Sequence, residues 1–543
     1  MKSVILHSSF AVYFSFLLLF QLSTFNFLFC PSVLAFDRTD VPLKNWGGFS
    51  IQHSWVYDAL EKLVLAGLTD RVVFNTKPLS RVEAARIVGQ AVRRIQMDQY
   101  GDYNHRGYLE ELLYQLVEEF GPELSEMGVR TALNPESPPG LFVYNKALDH
   151  AQFGMDFSSR AQRLVNDFGH TAAKGANATA TFDGRMHLGD FFSLYYQPEF
   201  TWGGNSQQGK LLSGYGKLNF WNLEVTAGRE SVWWGPGFRG SMSFSNNAFP
   251  LDQVRLSSGE PFTLPWYFRY LGSWKITTFV GQLDEQRDFP YTKVSGLRFD
   301  LSPSRFVEVG FNRMFQFGGQ GRPSPNPGQF LKLLFFNQGT DNGVNDPLQV
   351  NNVLSWDVTV RIPDVQRYIR FTRDMSLYVD FGYDDTSGGV IVPKQPGGIV
   401  GTYMTGIFGD PKLDLRLEYA RTSSLQFNHF IYLSGFTNRG SVLSHFIGTS
   451  GSELYARVTR WVSPDLLLGV QGGLDKIGST LTPAPGPTEG RNFFGSDASY
   501  RLSDRSSIFV GYNFTKVTNR DFLSGKSGNE HLFSIEFTQK FGQ

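Results

Sequence analysis

Cysteine is almost missing from this chain: the one thiol among its 543 residues, Cys30, lies in an N-terminal apolar stretch. That stretch reads as a leader over residues 1–35, with Lys2 as its basic start, a run rich in Phe and Leu, and Val33-Leu34-Ala35 as a small-residue cleavage site. Phe29 before Cys30 is wrong for a lipoprotein signal, which takes a small residue there. The exported chain therefore has no disulfide and no cysteine metal site. Charge is also scarce, at 18% of residues against roughly 25% in ordinary soluble chains. Its balance, 50 basic against 50 acidic residues, excludes the basic footprint of a nucleic-acid binder.

Long apolar runs are missing after residue 35, which excludes membrane-spanning helices and leaves a closed β-barrel as the way to cross a bilayer. Catalytic signatures are missing too. The nine His are scattered, with no His-Glu-x-x-His and no Gly-x-Ser-x-Gly. The stretch "DNGVNDPLQVNN" ends on Asn352 where a calcium loop needs Glu, so it reads as a solvated turn. Around Gly318, Gly319 and Gly321, "FGGQGRP" follows a strand but opens no helix, so it cradles no phosphate. The reading is a protein without metal or cofactor, and not an enzyme.

What is present is organised in two parts. Residues 36–135 carry helical periodicity in about three segments, the second opened by Ser80-Arg81-Val82-Glu83, a capping box. This predicts a small helical domain that ends at the Pro-rich "NPESPPG", with a linker over 136–148 and a barrel over 149–543. Beyond the linker the period is two: "KLDLRLEY" sets Leu413, Leu415, Leu417 and Tyr419 against Lys412, Asp414, Arg416 and Glu418. Full charges on the second face imply that this face is wet. Eighteen such segments run from 149–163 to 530–541, with the sixth at 264–272. Connections after even-numbered segments are mostly tight and those after odd-numbered ones often long, the short-periplasmic, long-external alternation of outer-membrane barrels. The chain ends with Phe533, Ile535, Phe537 and Phe541 on one face, which looks like a barrel-assembly signal. The expected fold is an all-β transmembrane barrel of about 18 antiparallel strands with a small α-helical domain on its periplasmic side.

One stretch fits neither period. "RESVWWGPGFRGSMSFSNNAFP" places Gly235, Pro236 and Gly237 in a row, which predicts a shaped loop outside strand five. Trp233 and Trp234 offer flat apolar faces; Arg229, Arg239, Asn246 and Asn247 offer directional polar groups, a mixture suited to sugar rings. This segment resembles the most recognisable part of the Wzi-type capsule assembly proteins. The resemblance implies an eighteen-stranded outer-membrane barrel with a periplasmic helical domain, a lectin-like role, and capsular or extracellular polysaccharide as partner beside the outer-membrane lipid. A second resemblance lies near the N-terminus, where "HSWVYDALEKLVLAGLTD" and "KPLSRVEAARIV" are similar to one S-layer homology repeat. It implies Trp55, Arg81 and Glu83 as contacts to peptidoglycan or a periplasmic partner. Two rivals remain open: a wall-tethered porin for small solutes, and a barrel enzyme acting on lipid or polysaccharide.

Overall fold

The computed structural model of the chain describes residues 36–44, 54–97, 106–130, 143–204, 206–336, 339–340, 342–386 and 393–541. The expected leader and the Pro-rich part of the linker lie outside these residues. Eighteen antiparallel strands close into a barrel. They are β1 (Val143–Ser158), β2 (Gly175–Leu188), β3 (Phe192–Gly203), β4 (Ser206–Phe220), β5 (Leu223–Glu230), β6 (Leu251–Ser258), β7 (Ser273–Gln282), β8 (Lys293–Ser304) and β9 (Val307–Phe317). The second half is β10 (Asn351–Ile362), β11 (Asp374–Tyr383), β12 (Gly397–Thr405), β13 (Leu413–Arg421), β14 (Ser452–Ser463), β15 (Leu466–Ile477), β16 (Glu489–Ser503), β17 (Ser506–Thr518) and β18 (Gly528–Lys540). Closure pairs β1 with β18, setting Phe157 opposite Phe533 with their rings 6.3 Å apart on the outer face.

Alternation decides which way each side chain faces. In β13, Leu417 and Tyr419 are 40% and 48% exposed on the outer wall, while Asp414, Arg416 and Glu418 are buried inside. An apolar exterior around a charged interior is the inverse of a soluble sandwich, and it fits a bilayer. Turns of two or three residues follow β2, β4, β8, β14 and β16, whereas 231–250, 318–350 and 422–451 follow odd-numbered strands, so the long loops gather at one end.

Two expectations are corrected. The sixth strand is not at 264–272; it is β6, paired from Leu251 opposite Glu230 to Ser258 opposite Leu223. Its inner face carries Gln253 and Arg255 and its outer face begins with Asp252, so it lacks the apolar stripe that marks its neighbours. Residues 266–271 form a 3₁₀ turn on the short-turn rim, with Trp266 and Tyr267 exposed. The aromatic content suits a strand, but β6 already fills the ladder beside β5 and β7.

The second correction concerns the wet inner face. The lumen is filled, from one end by the N-terminal domain and from the other by loop 231–250. The domain comprises α1 (Trp55–Leu65), α2 (Arg81–Met97), α3 (Arg106–Glu119) and α4 (Gly121–Glu126), packed around Leu60, Leu63, Ala84, Val88, Leu116 and Phe120. The capping box forms as expected, Ser80 N–H donating to Glu83 at 3.0 Å and Glu83 N–H to Ser80 Oγ at 3.2 Å. The barrel's inner charges pair with this domain: Asp414 with Lys62 at 2.6 Å, Arg416 with Glu61 at 2.7 Å, Lys217 and Arg255 with Asp40 at 2.6 Å each, and Arg185 with Asp37 at 2.7 Å. Buried ions are tolerated only when paired, so the charged strand faces and the domain that meets them require one another.

Candidate functional site

Loop 231–250 descends from the outer end of β5 to the middle of the barrel, where it meets residues 74–77 coming from the helical domain. The two segments form a two-residue antiparallel ladder, Thr76 opposite Trp234 and Lys77 opposite Trp233, and Gly235 N–H donates to Asn75 O at 2.9 Å. Asn75 and Thr76 are fastened to the wall: Asn75 donates to Asp357 at 2.9 Å and Thr76 to Asp300 at 2.7 Å.

Gly235-Pro236-Gly237 takes the special backbone its composition predicts. Gly235 has φ +134°, and a Cβ there would sit 2.6 Å from the Asp380 carboxylate; one on Gly237 would lie 2.1 Å from Gly240 O. The turn leaves backbone donors deep in the barrel, and acids from distant strands accept them. Glu418 accepts the N–H of Phe238 at 2.8 Å and of Arg239 at 3.0 Å, while Asp380 accepts that of Met242 at 2.8 Å. Buried polar groups must find partners, and here strand carboxylates supply them.

The structure brings the sequence candidates together, but as filling rather than as a surface. Trp233 and Trp234 have no exposed area. Trp233 packs into the core of the helical domain; Trp234 lies edge-on to Phe244 and Phe279, with ring centroids 5.3 and 5.4 Å away. The aromatic faces expected to meet sugar are thus buried, because the loop takes the inward of its two expected courses and continues past the barrel mouth into the lumen. Arg239 pairs with Glu453 at 2.7 Å and lies among Phe446, Tyr455 and Phe493. Asn247 accepts from Asn166 N–H and donates to Val442 O, and Asn246 is fully buried beneath loop 159–174. Arg229 alone of the six stays at the outer rim, held to Asp252 by two bonds of 2.8 Å.

The N-terminal candidates are also inside. Arg81 is buried, bound to Glu119 at 2.7 Å and to Glu123. Glu83 closes the capping box and pairs with Lys275 of β7. Trp55 packs on Trp461 and Leu467 of the barrel wall. Arg81 and Glu83 are buried and Trp55 is half-buried, Arg81 engaged within the domain, Glu83 with both the domain and β7, and Trp55 against the barrel wall.

Over the plug lies a roof built from loops 159–174, 283–292 and 422–451. Ser245 N–H donates to Leu443 O at 2.8 Å and Asn438 Nδ2 to Phe249 O at 2.8 Å, tying 422–451 to the plug. In loop 159–174, burial disfavours the His170 imidazolium, yet bonds to Asp167 and Glu199 raise its pKa to about 9. Burial likewise disfavours the Asp167 carboxylate, but Lys44 and His170 hold it well below the usual carboxylate range. The roof carries the exposed ring that the sequence reading did not single out: Phe430, 64% exposed, beside the His429 ring at 4.5 Å. His429 Nδ1 accepts the N–H groups of Ile431 and Tyr432 at 3.2 Å each, which fixes that ring.

Two known proteins are similar to this chain. The structure of Wzi of Escherichia coli, described as an outer-membrane protein involved in group 1 capsule assembly and a carbohydrate-binding β-barrel, matches with a TM-score of 0.68 at 19% identity, over 92% of this chain and 100% of that one. That likeness establishes the common fold. A Klebsiella pneumoniae protein, an uncharacterized 55.8 kDa protein in the cps region, is 27% identical over 185 residues, 32% of this chain. The match spans 36% of that relative's length. The model of the family "Capsule assembly protein Wzi" matches residues 150–532, nearly the whole barrel with its plug and roof, and the chain belongs to this family.

Proposed function

We propose that this chain sits in the outer membrane, with its helical domain on the periplasmic side, and holds capsular or extracellular polysaccharide at the cell surface through its roof loops, without covalent chemistry. The family supports this reading, as does the E. coli barrel that shares the fold and is described as carbohydrate-binding. The observation that carries it is the filled lumen. A barrel stoppered from both ends by paired charges and buried Trp is a poor conduit for solutes, but it makes a rigid base for loops that must hold a shape. Rigid aromatic platforms bind at small entropic cost, and Phe430 is placed to stack against a sugar face. In this reading Trp233 and Trp234 serve binding indirectly, by fixing the roof from below.

The test is surface-bound against released polysaccharide in cells producing equal amounts of barrel. Deleting the gene should release polymer, and Phe430→Ala should release part of it. Unchanged retention in the deletion strain would overturn the proposal. Single-channel recording decides against the porin alternative if the full chain is silent, and in its favour if it conducts.

A further inference from the structure

On the roof the guanidinium groups of Arg163 and Arg439 have no carboxylate partner within ion-pair distance among the described residues, a condition that Arg160 at the start of loop 159–174 shares. Arg163 and Arg439 are both exposed, and both flank one tight turn. Arg163 donates through Nη1 to Gly440 O. Arg439, at φ +50°, anchors its own backbone N–H on Asp284 at 2.8 Å and lays its guanidinium 3.8 Å from the centre of the Phe249 ring. That ring also carries Arg229 at 5.2 Å and Lys210 at 5.4 Å. Arg229 is matched by Asp252 and Lys210 by Glu199; Asp284 and Asp252 reach Arg439 only at longer range.

Like charges are crowded here. The Arg439 pKa is lowered by burial and then by Arg229; that of Arg163 is lowered by burial and then by Arg491, while Glu489, the partner of Arg491, acts the other way from beyond ion-pair distance. Like charge beside two guanidiniums that lack a close carboxylate raises the energy of the empty site, and an anion relieves it. A planar guanidinium fork matches a carboxylate with two parallel bonds, and a phenyl ring beneath it fixes the fork in place.

We infer that Arg163 and Arg439, brought together at the 438–441 turn, form a site for the carboxylate groups of an acidic polysaccharide. This rests on the glycan-binding reading for its ligand and adds the class, a polymer with uronate-type sugars. The site lies on the roof: loop 159–174 reaches the plug through Phe168 N–H to Asn246 O, and Asn438 next to Arg439 holds Phe249 O. That position is at the outer rim, beside the Arg229–Asp252 pair at the end of β6, where a polymer lying across the roof passes and where a lipid phosphate is the source the experiment separates from it. Repetition of the charge along the polymer multiplies a modest single contact.

The experiment uses the full chain in detergent, with oligogalacturonide and a maltooligosaccharide of equal length as acidic and neutral probes. The wild type should prefer the acidic probe, and more so at low salt. Replacing both arginines, Arg163→Gln with Arg439→Gln, should weaken acidic binding about ten-fold or more, leave the neutral probe unchanged, and preserve heat-modifiable migration on gels. Arg439→Lys should fall between, since the charge stays and the fork is lost. Equal acidic binding in the double variant overturns the inference, as does a wild type without preference for the acidic probe. Loss of lipopolysaccharide binding in the double variant with oligogalacturonide unaffected would assign the arginines to lipid instead. If cells retain polymer while the purified chain ignores charge, the site fails and the proposed function stands; the reverse pattern fails the function alone.

Discussion

Two aromatic pairs in successive connections end in opposite surroundings. Trp233 and Trp234 are wholly buried in the centre of the barrel, whereas Trp266 and Tyr267 are 83% and 86% exposed on the opposite rim. Hydrophobicity does not separate them. What does is the polar chemistry around each: the first pair lies in a loop whose backbone donors are taken by Asp380 and Glu418 and whose ladder partner is Thr76-Lys77. The second lies in a short turn with strand neighbours on both sides already paired. In a barrel, a loop enters the lumen only if the strands supply acceptors for it; otherwise its aromatics go to the rim, where an interfacial belt is stable.

The comparison is broken most strongly by removing a buried ring. Trp234→Ala should cost about 3–5 kcal/mol, since Phe244, Phe279 and the flat wall at Gly296, where a Cβ would lie 2.7 Å from the indole, cannot close the gap. Unfolding in denaturant measures the loss, and single-channel recording should show current in place of silence. The reading of the indole as a plug fails if stability and silence both persist. Asn75→Ala is next, at about 1–3 kcal/mol, because Asp357 loses a donor and stays buried. Arg298 still pairs with Asp357 at 2.7 Å, so the barrel should assemble.

A third test uses pH on the roof. A folded pKa of about 9 for His170, above the ordinary 6.5, means that its contribution to stability is fully present below pH 6.5 and lost as pH rises towards 9. The facing groups are Asp167 and Glu199, with Lys44 and Lys210 behind them. Protection of the loop 159–174 amides, measured as exchange relative to the intrinsic base-catalysed rate at each pH, should therefore fall above neutral pH, and His170→Gln should remove that dependence. A flat profile in the wild type would dismiss the imidazolium as the clasp.

Much of the fold was legible because a barrel writes itself twice, in period-two alternation and in turn length; β13 and the Phe533 face are read directly. β6 was not, because Asp252, Gln253 and Arg255 put polar groups on both faces, while 264–272 mimics a strand in composition. The loop 231–250 was legible as a shaped segment, since Gly235 and Gly237 announce its backbone. Its direction was not. Whether the loop points out or in depends on acids at positions 380, 418 and 453, on strands distant in sequence and recognisable only as charges on inner faces. The same gap hid the use of Arg81 and Trp55, whose partners lie in the far helices and the barrel wall. Phe430 carries no local motif at all, and only its exposure singles it out.

The smallest expected effect lies at the rim. Replacing Trp266 and Tyr267 with Ala should change stability in detergent by no more than about 0.5 kcal/mol, because neither ring fills a packed space. Exposure makes the difference measurable in another way. Trp266→Phe should remove a fraction of the fluorescence that a water-soluble quencher reaches in detergent, whereas Trp233→Phe should remove emission the quencher never reached. In lipid nanodiscs the Trp266 fraction should become protected from that quencher and accessible to one placed at headgroup depth, since indoles favour the membrane interface. If Trp266 stays equally open to water in both settings, the turn points into the periplasm and the rim is no lipid belt at that position. If Trp233 is quenched as readily as Trp266, the lumen is not closed, and the contrast between the two pairs disappears with it.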